Sequence, residues 1–363
     1  MADEAPTIGA ADIRAAVASG LMSEAQAAGL TALAHDRAGK RAAFSSEDEP
    51  FEFFRGFSEI FIAVGLAILI GGLALLLGVI GGVATLIFIP AIIAFASWMM
   101  AEYFTLKRRM NLPSMVLVSA YAGGIYVSVF TALFQADIGV SAMGFLAAAL
   151  TAGGVLVWYR RFRLPFSMFV FGVLSFAAIY ALFVHSTPDR AITGWSDWSQ
   201  SFVPRSNLIL ASLVFGFGAF AGAMYFDMKD RYRIGRYSAT AFWLHLLAGV
   251  ALVNSIAGNI WGGGGADAVL PTAAALLIFA LVALVVDRRS ILTAGIGYIS
   301  AMIYWAVAGD GSADAMDWAK VLIIVGAFFT VLGTWWVPLR TGIMRALPDF
   351  PGKDRLPPYS EEK

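Results

Sequence analysis

Cysteine is absent from the 363 residues, which excludes disulfides, thiolate metal centres, iron–sulfur clusters and cysteine nucleophiles at once. Histidine is almost absent: His35, His185 and His245 are the three, and no two share a helical or loop spacing suited to a metal. Charge is scarce too, at 14% of residues against about 25% in a soluble protein. With zero net charge, no basic field exists to gather nucleic acid, and that class of partner is excluded.

Catalytic signatures are missing as well. Gly39-Lys40 is followed by Arg41 and lacks the upstream glycine of a phosphate loop, and Gly216, Gly218 and Gly222 have the wrong last spacing for a dinucleotide fingerprint. Asp310, Ser312 and Asp314 imitate the opening of a calcium loop, but Ala315 and Val321 stand where Gly and Glu are required. The expectation is a non-enzymatic chain with no cofactor and no metal.

What remains is apolar. Hydrophobic residues make up 59% of the chain, and of its 50 charges only 27 fall in the 281 residues from 58 to 338. A spanning helix needs about 20 apolar residues, and ten such stretches can be placed: 58–80, 83–103, 114–134, 138–159, 164–184, 206–226, 237–258, 269–286, 291–308 and 318–338. The reading is an all-α, polytopic membrane helix bundle of about ten spans. Alternate loops carry 12 Lys and Arg (around 108, 161, 231 and 288), while the opposite loops carry Arg190, Arg205 and Lys320 together with Asp137, Asp189, Asp197, Asp267, Asp310, Asp314 and Asp317. Basic loops stay in the cytoplasm, so both termini are expected there, in the inner membrane. Trp195, Trp198, Trp261 and Trp318 then form the outer aromatic belt.

Three parts follow. Residues 1–57 read as a cytoplasmic helical hairpin and an acidic linker. Residues 58–338 are the membrane bundle, and 339–363 a Pro-rich cytoplasmic tail expected to be disordered. In the hairpin, Gly20 suits the left-handed cap of a first helix, and Ser23 with Gln26 suits a capping box for a second. The segment Gly20-Leu21-Met22-Ser23-Glu24-Ala25-Gln26, followed closely by many apolar stretches, resembles a bacterial family of predicted membrane proteins, domain of unknown function 2157. The likeness covers about the first third of the chain, which departs from the family by inserting Glu47, Asp48, Glu49 and Glu52 before the first span. It implies location and architecture, and no functional residue is carried over.

Few polar residues lie deep in the spans. Glu59, Glu102, Asp227 and Asp287 sit at span ends, where the expectation is that they reach the interface as solvated or anchoring groups. His245 is the exception, about 5 Å from the centre of its span at 1.5 Å per residue; it is either a protonation switch or a neutral imidazole bonded to a neighbouring helix. Thr293, Gly297, Ser300 and Tyr304 share one helical face, and Gly326, Thr330, Gly333 and Thr334 another. With His245, the residues Thr293, Ser300, Tyr304 and Thr330 form a candidate polar path, although such stripes more often mark helix seams. Gly65, Gly72, Gly218 and Gly222 are assigned to close helix packing on the same principle. Two functions remain in view. One is a scaffold or accessory subunit that holds a protein partner at the hairpin or the glycine-lined helices. The other is a permease for a small, weakly charged or apolar molecule.

Overall fold

The computed structural model describes residues 10–23, 26–27, 29–30, 33, 57–183, 206–230, 236–262, 266–293, 295–308 and 315–357. His35, His185, the acidic linker, Trp195, Trp198, Arg190, Arg205, Asp310 and Asp314 lie outside them. The chain divides into two compact units, residues 1–49 and 50–363.

In the first unit α1 (Ala10–Ala18) ends at Gly20, whose φ of 73° is left-handed. The expected capping box forms beyond it. The Ser23 amide donates to Gln26 Oε1 at 2.9 Å, and the Gln26 amide donates to Ser23 Oγ at 3.2 Å, so two otherwise orphaned donors are satisfied reciprocally.

The second unit is all-helical among its described residues, and nine of its helices are long and apolar enough to cross a membrane. They are α2 (Phe57–Ile80), α3 (Val83–Ala101), α4 (Asn111–Gln135), α5 (Val140–Phe162), α6 (Phe166–Phe183), α7 (Ser206–Lys229), α8 (Arg236–Val253), α9 (Ala266–Val286) and α11 (Ala315–Thr334). Large apolar side chains cover their outer faces, Leu322 being 68% and Ile323 70% exposed, surface that hydrocarbon and not water accommodates. The chain is an integral membrane protein in contact with the bilayer.

Successive helices pack as antiparallel neighbours, chiefly α3 with α4, α5 with α6, and α7 with α8. Aromatic rings cement the first group: Trp98 of α3 meets Trp158 of α5 edge-on with centroids 5.6 Å apart, and Tyr121 of α4 lies 4.9 Å from Trp158. Gly124 lets α4 approach the Pro90 carbonyl of α3, where a Cβ would have no room. Burial is uneven. The most apolar stretch of α8 and its π-helical continuation is 67% buried, that of α11 only 6%, so α8 is the axis of the second half and α11 its rim.

The ninth stretch departs from expectation. Helix α9 stops at Val286, Asp287 turns the chain with φ 61°, and a 3-10 turn over Arg289–Leu292 precedes α10 (Gly295–Ala308). At 14 residues, α10 is about 21 Å long at 1.5 Å per residue, short of the ~30 Å hydrocarbon core. The turn is not at the edge of the bundle: a side chain at Gly249 of α8 would strike the Ile291 backbone, and Gly249 lies about 20 Å along α8 from Arg236 at the same rise per residue. Hydropathy misses this break because Ile291 and Leu292 continue the apolar run whether or not they are α-helical.

The last span also ends early. After Thr334 the chain breaks at Trp335 and begins a separate helix, α12 (Trp336–Ala346). Trp336, Arg340 and Met344, at i, i+4 and i+8, form its buried face. Beyond α12 the described tail runs to residue 357: Leu356, 4% exposed, and Pro357 are buried, while Pro348, Asp349, Pro351 and Arg355 are exposed. Where disorder is expected, the tail up to residue 357 has a 3-10 turn over Lys353–Arg355 and a carbonyl, that of Pro357, bonded to Arg340 of α12.

Candidate functional site

The polar core of the second half is assembled from α7, α8 and the α9–α10 linker. Helices α7 and α8 are antiparallel, and a helical Cα–Cβ bond tilts toward its own N-terminus. Asp227, near the end of α7, therefore leans into the bundle, while His245, in mid-α8, leans back to meet it. His245 Nε2 lies 2.7 Å from Asp227 Oδ2. Since the carboxylate only accepts, the nitrogen carries the hydrogen. The Phe220 ring closes over the imidazole at 5.5 Å between centroids.

Arg288 reaches the same carboxylate from the linker. Its Nε donates to Oδ2 at 3.2 Å and its Nη2 to Oδ1 at 2.5 Å, a bidentate grip. Nη2 also donates to the Ser238 carbonyl and hydroxyl, both at 3.0 Å. Asp227, Ser238, His245 and Arg288 are 3%, 1%, 0% and 0% exposed. With a neutral imidazole, one anion and one cation cancel, and this keeps net charge out of a low-dielectric interior.

A second pair adjoins the first through the chain. Asp287, next to Arg288 in sequence, accepts from Trp336 Nε1 at 2.8 Å and faces Arg340 Nε at 3.6 Å. Arg340 Nη2 donates to the Pro357 carbonyl at 2.7 Å. The Arg289 guanidinium lies 5.3 Å from the centre of the Trp336 ring. Polar contacts thus run from His245 to Arg288 and, across the peptide bond to Asp287, from there on to Pro357 in the tail.

This overturns one part of the sequence reading and retains another. Asp227 and Asp287 do not reach the interface; both are buried against arginines. Glu59 is buried as well, its Oε2 accepting from the Asn111 and Leu112 amides at 3.1 and 3.4 Å, an anion on the N-terminus of α4. Glu102 keeps the expected character, holding Arg161 at 3.0 Å in a partly exposed pair. Helical periodicity fixes neither outcome, because a carboxylate at a span end meets water or protein according to its neighbour.

Three of the candidate path residues bond within their own segments. The Thr293 hydroxyl donates to the Ser290 carbonyl, Ser300 Oγ to the Ile296 carbonyl at 2.8 Å, and Thr330 Oγ1 to the Gly326 carbonyl at 2.7 Å. Tyr304 packs on Trp318 at 5.0 Å between ring centres. The Thr293, Ser300 and Thr330 hydroxyls are each spent on their own chain segment. On α8's π-helical continuation (Asn254–Gly258), Asn254 Oδ1 instead accepts from Tyr298 of α10 at 2.5 Å. Of the packing glycines, Gly65, Gly72 and Gly218 face open space, and Gly222 alone meets a neighbour, Leu244. The close approaches fall at Gly124, Gly172, Gly216, Gly249 and Gly258. Among the described residues no group of three or more His, Asp or Glu is placed to hold a metal. An open apolar groove of about 500 Å³ runs between α2 and α4, lined by Ala67, Ile70, Gly71, Met115 and Val116, and none of the buried ionic residues borders it.

Sequence reasoning singled out His245 and missed Asp227, Ser238, Arg288, Asp287, Trp336 and Arg340 as its companions. One usable signal was present: the N-terminal tilt of side chains aims an acid at the end of α7 and a histidine in the middle of α8 at one another. Compared with known proteins, the chain matches no family model, no curated protein and no solved structure.

Proposed function

We propose that this protein is a non-enzymatic scaffold or accessory subunit of the cytoplasmic membrane, with both termini in the cytoplasm, and that its polar core locks helices together. One observation carries the reading. The Thr293, Ser300 and Thr330 hydroxyls of the candidate path are bonded to their own backbone, while the buried ions hold α7, α8, the α9–α10 linker and α12 to one another. The orientation rests on the basic loops, and it requires the α9–α10 linker and α10 together to make a tenth crossing beside the nine long helices. Kinship with domain of unknown function 2157 belongs to the same proposal.

The broken ninth stretch favours a second reading, a permease, since an interrupted helix beside buried ionisable groups is also how transporters build a site. Because the chain has no cysteine, single thiols at 245, 297, 300, 304 and 330 separate the two. A thiol in hydrocarbon or packed protein does not ionise and stays unreactive toward a membrane-impermeant maleimide. The scaffold reading expects silence at all five while loop controls label. Labelling at 245 together with any of 297, 300 or 304 establishes an aqueous route and replaces it with the permease.

A further inference from the structure

The groove of about 500 Å³ between α2 and α4 is made by small side chains. Ala67 and Gly71, four residues apart on α2, and Val116 and Ala120, four apart on α4, line it together with Met115 and Phe166. The Ser119 hydroxyl on the same wall donates to the Met115 carbonyl at 2.9 Å, so the surface it presents is apolar. Its depth follows from one contact. Glu59 of α2 accepts from the Asn111 and Leu112 amides at the start of α4, which sets the two helices level at that end. Met115 lies four residues beyond Asn111 and Gly71 twelve beyond Glu59, so at 1.5 Å per residue the groove runs from about 6 to about 18 Å along the helices. One leaflet of hydrocarbon is about 15 Å deep, half of the ~30 Å core. The groove therefore follows the leaflet beside the loops that precede α4 and α6.

That end of the bundle is positive. Residues 57–183 place Lys107, Arg108, Arg109, Arg160, Arg161 and Arg163 there against Glu59 and Glu102. Both acids are engaged, Glu59 by the two amides and Glu102 by Arg161 at 3.0 Å. Lys107, Arg109 and Arg163 are exposed. Arg163 precedes Phe166 by three residues, which span at most about 11 Å of chain, and Arg109 precedes the first residue of α4 by two. We propose that the groove holds an acyl chain of an anionic phospholipid whose phosphate is bound by Lys107, Arg109 and Arg163. The apolar wall takes the chain by shape, and the basic rim selects the headgroup by charge. Because Glu59 already accepts from the amides that open α4, the phosphate is left to the side chains of the rim. A second copy of the protein, or another apolar helix, would fill the groove and leave the positive rim unanswered.

Native mass spectrometry tests this on the full chain, transferred from non-ionic detergent after incubation with equal amounts of dioleoyl phosphatidylglycerol and dioleoyl phosphatidylcholine. A Lys or Arg beside an anionic headgroup is worth about fivefold in affinity, so phosphatidylglycerol should be retained in about tenfold excess or more. Arg109→Asn/Arg163→Asn should bring the two lipids close to parity, asparagine tolerating the left-handed φ of 53° and 48° at these positions. Gly71→Leu, whose side chain enters open space, should displace the lipid with every charge intact. Lys229→Gln/Arg236→Gln removes two exposed charges from another basic loop and should leave the excess unchanged. Equal retention of the two lipids by the native chain, an excess that survives either groove variant, or an equal loss in Lys229→Gln/Arg236→Gln overturns the proposal. So does a dimer that holds no lipid and that Gly71→Leu separates, an outcome that assigns the groove to a second copy. The native ratio needs no substitution, so it decides even if a variant misfolds. None of these readouts depends on whether the bundle is a scaffold or a permease.

Discussion

The Asp227–Arg288 pair should be worth far more to remove by halves than as a whole. In Asp227→Asn one amide oxygen can still accept from the guanidinium, but the other position becomes an NH2 group facing Arg288 Nη2 or Nε, so a donor meets a donor. The bidentate grip of 2.5 and 3.2 Å is lost, and charged hydrogen bonds contribute about 1.5–3 kcal/mol each. Arg288, whose side chain is 1% exposed, loses the carboxylate that grips it; breaking a buried pair in this way costs about 3–5 kcal/mol. In Arg288→Met the same sum applies to the stranded carboxylate, eased by the His245 bond at 2.7 Å. The double variant Asp227→Asn/Arg288→Met removes both charges and leaves an amide beside His245. Its cost should fall at least about 2 kcal/mol below the sum of the single costs, within the range of coupling seen for residues in direct contact. Equilibrium unfolding of the full chain in mixed non-ionic and dodecyl sulfate micelles measures all three. Single costs under about 1 kcal/mol, the range of a solvated surface pair, or strict additivity in the double variant would refute the reasoning.

The same assay distinguishes two glycines that the sequence treats alike. Gly124→Ala should destabilise by about 1–3 kcal/mol, the usual overpacking range, because its Cβ would meet the Pro90 carbonyl and Ala94. Gly65→Ala, with nothing within 4 Å of the new atom, should be neutral or stabilising by up to about 1 kcal/mol through helix propensity, and a cost there equal to that of Gly124→Ala would show a packed face at Gly65 instead. Glu59→Leu should cost about 1–2 kcal/mol as the Asn111 and Leu112 amides lose their acceptor, with Glu59→Gln recovering part of it; amide exchange at residues 111 and 112 reports the effect locally, and unchanged protection in Glu59→Leu would remove Glu59 from that role.

The sequence by itself determined the class and most of the architecture. Apolar runs about 20 residues long, divided by charged turns, have few other ways of satisfying their backbone than as membrane helices. Local chemistry was equally legible: Gly20 takes its left-handed turn, and Ser23 and Gln26 form their box, because those interactions span three residues and need no third party. Tertiary structure decided the rest. Whether Asp227 meets water or His245 depends on which helix lies beside α7 and at what height. Arg288 is a basic loop residue by count, yet the turn at Asp287 brings it onto a carboxylate 61 residues away. Ile291 and Leu292 look like part of a span, and only the folded chain shows them in a 3-10 turn, with Ile291 against Gly249, before the helix begins. Composition and period record how apolar a segment is. The partners of its few polar atoms are a property of three-dimensional neighbours, and there the burial of one charge is made tolerable only by the position of another.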